Sequence, residues 1–279
     1  MDKQHRIDCH THIVNRQIKD AYYQNAAGEY AVIMEFLPQF TREGMQDESW
    51  QLAAGDERLF LSPCIDIHKR IPPQLAEIEE KMLAKPECKV VGLKIFLTYQ
   101  KGRADDEKMM CIYDFARKYG LSVTYHTGLP SLRLPTDNDM EGSRATYIRS
   151  VALAYPEVNF IAAHLDDPHF DECVQAMHGV PNMYSDFSGT FEPGASAMEN
   201  VEETLSAYAH AIRQYPGAYR QILYGTDFCP PIALSAFGEY DETIRRIFAP
   251  DQFEDIYWNN PLRAFPRLAE ILREKGTIK

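Results

Sequence analysis

The chain has 279 residues, of which 45% are hydrophobic and 25% charged, values that are ordinary for a globular protein and exclude a fibrous or disordered chain. Its formal net charge of -12 argues against nucleic acids and acidic membrane surfaces as partners, because both are bound through Lys and Arg. There is no apolar run of about 20 residues to span a bilayer, and the six cysteines are scattered without a C-x-x-C pair. We therefore expect a soluble, cytoplasmic protein with free thiols.

Eight short segments rich in β-branched and aromatic residues recur along the chain, and each ends in polar or turn residues. Their spacing leaves room for a helix between each pair of segments. The predicted strands are Arg6–His12, Ala31–Phe36, Leu59–Ile67, Lys89–Leu97, Leu121–His126, Val158–Leu165, Asn182–Phe187 and Ile222–Asp227.

Helical patterns fill intervals between these strands. In Asp105–Tyr119, apolar residues recur at three- and four-residue steps, and Gly120 follows as expected for a left-handed C-cap. Strand–helix alternation repeated eight times predicts the α/β class with a parallel (β/α)₈ TIM barrel, as a single domain over residues 1–279. The other predicted helices are Gln74–Ala84, Ser143–Tyr155, Asn200–Tyr215 and Tyr240–Phe248.

The first predicted strand contains the sequence Asp8-Cys9-His10-Thr11-His12. Because side chains alternate between the two faces of a strand, we expect Asp8, His10 and His12 to share one face. An H-x-H pair occurs often by chance and is weak evidence for a metal site by itself. The assignment of a metal site therefore needs further ligands elsewhere in the chain.

Polar residues at the ends of later strands supply those ligands. His126 closes the fifth predicted strand, His164 closes the sixth and Asp227 closes the eighth. In a closed barrel the carboxyl ends of all strands meet at one rim, so residues far apart in sequence can surround one ion. The pattern predicts a metal site at the C-terminal rim of the strands.

Four motifs taken together resemble the amidohydrolase superfamily: D-x-H-x-H on strand one, H-T-G on strand five, A-H on strand six and G-T-D on strand eight. The chain is most similar to the amidohydrolase-related branch that includes aminocarboxymuconate-semialdehyde decarboxylase, and the likeness runs from residue 7 to the stretch 256–260. The resemblance implies one divalent metal, commonly zinc, bound by His10, His12, His126 and Asp227, with His164 beside it. Imidazole nitrogens with a carboxylate suit a catalytic zinc site that keeps a position open for water, while manganese and iron stay open as alternatives.

Lys94, on the fourth predicted strand, has three interpretations. It resembles the carboxylated lysine that bridges two metals in binuclear members of the superfamily, in which case a second metal would bind. A cationic Lys94 would instead attract a substrate carboxylate, and a third option is a structural lysine paired with an acid. Tyr99, in the loop after the same strand, is a candidate substrate-binding residue, and the segments Gly128–Gly142 and Ser188–Asn200 are candidate substrate loops.

The resemblance and the predicted site together favour a metal-dependent hydrolase. A metal-activated water would attack the carbonyl carbon of an amide, ester or lactone, and Asp227 would accept and return a proton. His164 would either orient the water or donate a hydrogen bond to the developing oxyanion. The alternative is a non-oxidative decarboxylase of an unsaturated or aromatic carboxylic acid, and a third interpretation is a metal-binding protein without turnover. The expected partners are a small-molecule substrate, with a carboxylate as one candidate, and a second copy of the chain in a homodimer.

Overall fold

The computed structural model describes residues 5–25, 28–40, 47–131, 137–190, 199–228 and 237–278. All eight predicted strands form, and each is shorter than predicted because residues near the predicted ends belong to loops and turns. The strands are β1 (Ile7–Thr11), β2 (Tyr30–Met34), β3 (Leu59–Ser62), β4 (Gly92–Ile95), β5 (Ser122–Tyr125), β6 (Phe160–Ala162), β7 (Met183–Asp186) and β8 (Ile222–Leu223).

Helices follow the strands, and the five predicted helices are confirmed with shifted ends. In place of one helix over Asp105–Tyr119, a 3₁₀ turn at Glu107–Met109 precedes the α-helix, which Gly120 ends at a φ of 62°. No helix in the described ranges is long and apolar enough to cross a membrane. The helices are α1 (Arg16–Asn25), α2 (Ser49–Gly55), α3 (Ile71–Ala84), α4 (Leu97–Gln100), α5 (Met110–Tyr119), α6 (Ala145–Ala154), α7 (Phe170–Met177), α8 (Val201–Arg213), α9 (Phe237–Ile247), α10 (Asn260–Ala264) and α11 (Pro266–Glu274).

All strand pairs are parallel, in the orders β1-β2-β3 and β4-β5-β6-β7-β8. Isolated parallel bridges join the two groups on both sides. Leu61 pairs with Val90 between β3 and the start of β4, and Thr11 pairs with Phe228 just after β8. These contacts close the strands into the predicted TIM barrel, so the carboxyl ends of all strands face one rim.

The interior of the barrel divides into an apolar half and a polar half. Buried apolar side chains from the strands pack with Phe265, Leu268 and Leu272 of the C-terminal segment. That segment lies at the amino ends of the strands, since Ser122, the first residue of β5, donates a hydrogen bond to the carbonyl of Ala264. The interior strand residues are Ile7, Cys9, Val32, Met34, Phe60, Val91, Ile161, Tyr184 and Leu223. Burial of each large side chain among them stabilises the fold by roughly 1.5–3 kcal/mol. The polar interior residues lie at the opposite end of the barrel.

A β-bulge interrupts β1 beside the predicted metal ligands. Asp8 pairs with Ala31 and Thr11 pairs with Ile33, so β1 has one more residue than β2 between these two pairs. The extra residue changes the side-chain alternation, and Asp8 accepts a hydrogen bond from Tyr22 of α1 on the helix side of the sheet. The prediction that Asp8 shares a face with His10 and His12 is therefore wrong, because it assumed a regular strand.

Parts of both predicted substrate loops lie outside the described residues, at 132–136 and 191–198. Cys229 also lies outside them. The other five cysteines, Cys9, Cys64, Cys88, Cys111 and Cys173, are free thiols as predicted.

Candidate metal centre

The predicted site residues lie at the carboxyl ends of the strands, at the polar end of the barrel. His10 belongs to β1 and His12 follows it, His126 follows β5 directly, and His164 lies in a turn after β6. All four imidazoles are buried, with exposed fractions of 0% for His10, 4% for His12, 9% for His126 and 5% for His164. Asp227, beyond the end of β8, keeps 23% of its side chain exposed. The opening to solvent is therefore on the side of the carboxylate.

Three of the four predicted ligands lie together. Asp227 Oδ1 is 3.3 Å from His10 Nε2 and 3.0 Å from His12 Nε2, and the candidate ligand atoms of the three residues lie within 4.8 Å of one another. His126 is paired differently, since its Nδ1 lies 3.0 Å from Nε2 of His164. The site thus contains a group of two imidazoles with a carboxylate and, beside it, a pair of imidazoles.

The outward-facing nitrogen of each imidazole has a hydrogen-bond acceptor. His12 Nδ1 is 2.7 Å from the carbonyl oxygen of Met34. His126 Nε2 is 3.1 Å from the carbonyl oxygen of Leu129, and His164 Nδ1 is 2.6 Å from that of Ser188. A carbonyl oxygen can only accept, so each of these nitrogens carries the hydrogen. His10 Nδ1 likewise faces a carboxylate, Asp186 Oδ2, at 3.1 Å. In the neutral form of each ring the nitrogen that faces the site is therefore a lone pair, and that of His10 accepts from Lys94 Nζ at 3.0 Å.

Bare acceptors thus face one another inside the site. Lone pairs oppose each other between His12 and Asp227 and again between His126 and His164, and such contacts are repulsive unless a cation shares them. Burial lowers the pKa of His10 to about 4, and burial also lowers the pKa values of His126 and His164. Neutral imidazoles with an ionised carboxylate are the donor set that a divalent transition metal requires. The residues present therefore fit the metal that the family resemblance implies.

Asp227 is held in an uncommon backbone conformation. Its φ is 52°, in the left-handed region, and its N–H donates to the carbonyl of His10 at 2.7 Å. A non-glycine residue in this conformation is strained by about 1–3 kcal/mol and persists only where its surroundings fix it. Burial opposes ionisation of Asp227, but a proton shared with the imidazole nitrogens of His12 and its neighbours favours the carboxylate and holds the pKa of Asp227 well below its ordinary range, as a metal cation in the same place would.

Lys94 is completely buried beside the metal ligands. Its Nζ lies 3.0 Å from His10 Nε2 and 5.0 Å from the centre of the Phe96 ring. Burial lowers the pKa of Lys94 to about 8, while the charges of Asp227 and Asp186 act in the opposite direction. Among the described residues its one hydrogen-bond partner is an imidazole nitrogen. A buried ammonium with so few partners favours the approach of an anionic group.

Asp186 is a site residue that the sequence analysis missed. Its side chain is 1% exposed, and besides His10 it binds the backbone N–H groups of His164 and Ser188, both at 3.0 Å. This carboxylate fixes the ring of one predicted ligand and the backbone of a second site histidine. The signal was present, since Asp186 is the last residue of β7, which makes it a polar residue at a strand's carboxyl end.

Aromatic rings form one wall of the site. Phe36 stacks on the ring of His12 with centroids 3.9 Å apart, and Tyr99 lies 4.7 Å from His126. Phe96 lies between them, 6.2 Å from His12. The predicted substrate-binding residue Tyr99 is therefore next to a predicted metal ligand, and its hydroxyl accepts a hydrogen bond from the N–H of Ser131 at 2.6 Å.

The barrel and this cluster define a parallel β/α enzyme fold with a metal-type donor set at its catalytic rim. A family model described as amidohydrolase matches residues 7–267, and the chain belongs to this family. The resemblance seen in the motifs is thereby confirmed, and the protein is an enzyme of the amidohydrolase superfamily, whose members generally bind divalent metals. No curated protein matched the sequence.

Solved structures share the fold at low sequence identity. An amidohydrolase from Burkholderia multivorans with bound zinc has a TM-score of 0.63 at 14% identity, covering 94% of this chain and 99% of that one. A probable 2-pyrone-4,6-dicarboxylic acid hydrolase from Acinetobacter baumannii gives 0.61 at 13%, covering 94% and 100%. A 5-carboxyvanillate decarboxylase from Sphingomonas paucimobilis gives 0.58 at 13%, covering 94% and 99%. At such identities the likeness concerns the fold.

Proposed function

We propose that this protein is a metal-dependent hydrolase acting on the carbonyl carbon of an amide, ester or lactone, with zinc as its metal. The observation that carries the proposal is the geometry of the site: one nitrogen each of His10, His12 and His126 is occupied by an outward acceptor, and Asp227 Oδ1 lies 3.3 Å and 3.0 Å from the inner nitrogens of His10 and His12. His126 is retained as the fourth ligand because its free nitrogen, Nδ1, points into the same site.

When bound, the metal would supply Lewis acidity, lowering the pKa of a water molecule and polarising the substrate carbonyl. The chain's own groups handle the proton. Asp227 directs Oδ1 to His10 and His12, while Oδ2 lies on the side of Gly189. We assign to Oδ2 the proton of the attacking water, which Asp227 then delivers to the leaving group.

Two further residues act on the water and the substrate. His164 has its Nδ1 hydrogen committed to the carbonyl of Ser188, so its bare Nε2 can accept a hydrogen bond from the water and orient it. Lys94 offers a buried positive charge next to His10, suited to a carboxylate on the substrate. Tyr99 would contact the substrate beside His126.

A second candidate is non-oxidative decarboxylation of an unsaturated or aromatic acid. The observation that favours it is the wall of aromatic rings, Phe36, Phe96 and Tyr99, of which Phe96 lies 5.0 Å from the ammonium of Lys94. A planar acid could stack on that wall with its carboxylate toward the lysine. The metal-type donor set serves either reaction.

One experiment separates the two reactions. Zinc-loaded protein is incubated with a panel of lactones, esters and amides, and the carboxylic acid product is quantified by liquid chromatography. In parallel, unsaturated and aromatic acids are assayed for released carbon dioxide. Acid release by the wild type that Asp227→Asn abolishes supports hydrolysis, and carbon dioxide release supports the second candidate. Zinc-loaded protein that is inactive on both panels would overturn both assignments.

A further inference from the structure

Asp8 is a fully buried carboxylate that faces away from the proposed metal and has no part in the proposed mechanism. It accepts hydrogen bonds from the N–H of His10 at 3.2 Å and the N–H of Thr226 at 3.1 Å, both through Oδ1. Its Oδ2 accepts from the Thr226 hydroxyl at 2.7 Å and from the Tyr22 hydroxyl at 3.1 Å. Every oxygen of this carboxylate is therefore engaged.

Three of these four hydrogen bonds involve the two chain segments that carry proposed ligands. His10 lies on β1, and Thr226 immediately precedes Asp227 in the segment after β8. The same two segments are also joined through the carbonyl of His10, which accepts from the N–H groups of Thr226 at 3.2 Å and Asp227 at 2.7 Å. The carboxylate thus ties the strained turn at Asp227 to the strand of the histidines.

We propose that Asp8 is a positioning residue that holds Asp227 in its left-handed conformation and thereby sets the distance from Asp227 Oδ1 to His10 and His12. The bulge in β1 makes this possible, because it turns Asp8 toward the neighbouring segment while His10 faces the site. The inference rests on the proposed function in one respect, namely that Asp227 binds a metal.

The expected effect follows from the groups that would lose their acceptor. Removing the carboxylate takes this acceptor from the N–H of His10 and from the Thr226 hydroxyl, and it leaves the N–H of Thr226 only the carbonyl of His10. The strained turn at Asp227 then has fewer hydrogen bonds to hold it. Residues that orient metal ligands typically affect metal affinity by about 10- to 100-fold. We expect Asp8→Ala to weaken zinc binding by that amount.

Conservative variants separate positioning from a general contribution to the fold. Asp8→Asn keeps one oxygen that can accept from the N–H groups of His10 and Thr226. Its NH₂ group would face the hydroxyls of Tyr22 and Thr226, which can accept a hydrogen bond as well as donate one. We therefore expect this variant to retain zinc affinity within about 3-fold of the wild type. Thr226→Val removes the hydroxyl bond at the strained turn and should weaken zinc binding about 10-fold. Tyr22→Phe removes the bond from α1 to the same carboxylate oxygen, and we expect it to lower stability while leaving zinc affinity within about 2-fold.

Zinc affinity is measured by competition against a chelator in equilibrium dialysis, and stability by urea unfolding of the metal-free proteins. Weaker binding in Asp8→Ala and Thr226→Val, with Asp8→Asn and Tyr22→Phe near wild type, supports the proposal. If Asp8→Ala does not fold, Thr226→Val against Tyr22→Phe decides, and equal zinc affinity in those two overturns it. Wild-type protein that binds no zinc overturns the proposed function as well, whereas variants that all bind like the wild type overturn this inference alone.

Discussion

Nδ1 of His126 and Nε2 of His164 lie 3.0 Å apart, although neither atom carries a hydrogen when the rings are neutral. Their other nitrogens donate to the carbonyls of Leu129 and Ser188, which fixes the tautomers. A contact of this kind becomes favourable when a metal ion takes the lone pair of His126 and a water molecule donates to Nε2 of His164. It lies beside the group of His10, His12 and Asp227, so the site offers a fourth ligand to one metal, or a place for a second metal if Lys94 is carboxylated.

Asp227→Asn is the most direct change to the proposed proton transfer. The amide keeps the shape of the side chain but cannot take a proton, so we expect kcat to fall by about 10²- to 10⁴-fold. Steady-state kinetics on the substrate found by the activity panel measures this. Asp114→Asn, at an exposed carboxylate on α5, is the control. Loss of less than about 3-fold in Asp227→Asn would remove this residue from the mechanism.

Lys94→Gln tests the role of the buried ammonium. If Lys94 attracts a substrate carboxylate, KM for acidic substrates should rise about 10- to 100-fold while neutral esters are little affected. Metal content, measured on the same preparations, should stay at one ion per chain. A drop from two ions to one would instead show that Lys94 bridges two metals.

Gly189→Ala probes the space above the site. A Cβ at this position would lie 2.9 Å from His164 Nδ1 and 3.0 Å from Asp227 Oδ2, and the φ of 71° disfavours any other residue. We expect lower stability and zinc binding weakened about 10-fold. Gly179→Ala is matched in backbone conformation, with a φ of 74° and no atom within 4 Å of the added Cβ. The control should lose about 1–2 kcal/mol of stability and keep zinc affinity. Equal zinc affinity in the two variants would contradict the proposed packing.

Glu35 makes stability depend on pH. Its carboxylate accepts hydrogen bonds from the N–H of Cys64 and the indole of Trp50, both at 2.9 Å, and burial raises its pKa from 4.5 to about 7. The folded state therefore prefers the protonated form. This stabilisation is present in full below pH 4.5 and is lost as the pH rises through 7, amounting to about 3 kcal/mol at most.

Urea unfolding of the metal-free protein at pH 5 and pH 8 tests this prediction. Glu35→Gln should show a smaller fall in the free energy of unfolding between the two pH values than the wild type. Glu77→Gln, at an exposed carboxylate of α3, should retain the wild-type fall. An unchanged fall in Glu35→Gln would refute the assignment to Glu35.

The fold was predictable because strand and helix periods depend on local sequence, and eight strands in series leave few parallel arrangements. The proximity of three proposed ligands was also predictable, since His10, His12 and Asp227 lie at the carboxyl ends of strands. The place of Asp8 was not, because a bulge depends on pairing between β1 and β2 rather than on the sequence of β1 alone. The pairing of His126 with His164 was likewise hidden, since a turn with three successive positive φ values, at residues 164–166, sets the ring of His164.

The most direct test of the central claim is metal analysis by inductively coupled plasma mass spectrometry on protein dialysed after zinc loading. We predict one zinc ion per chain in the wild type and substantial loss in His12→Ala, with His210→Ala, at an exposed histidine of α8, unchanged. Wild type without bound zinc, or His12→Ala with the same zinc content as the wild type, would contradict the account.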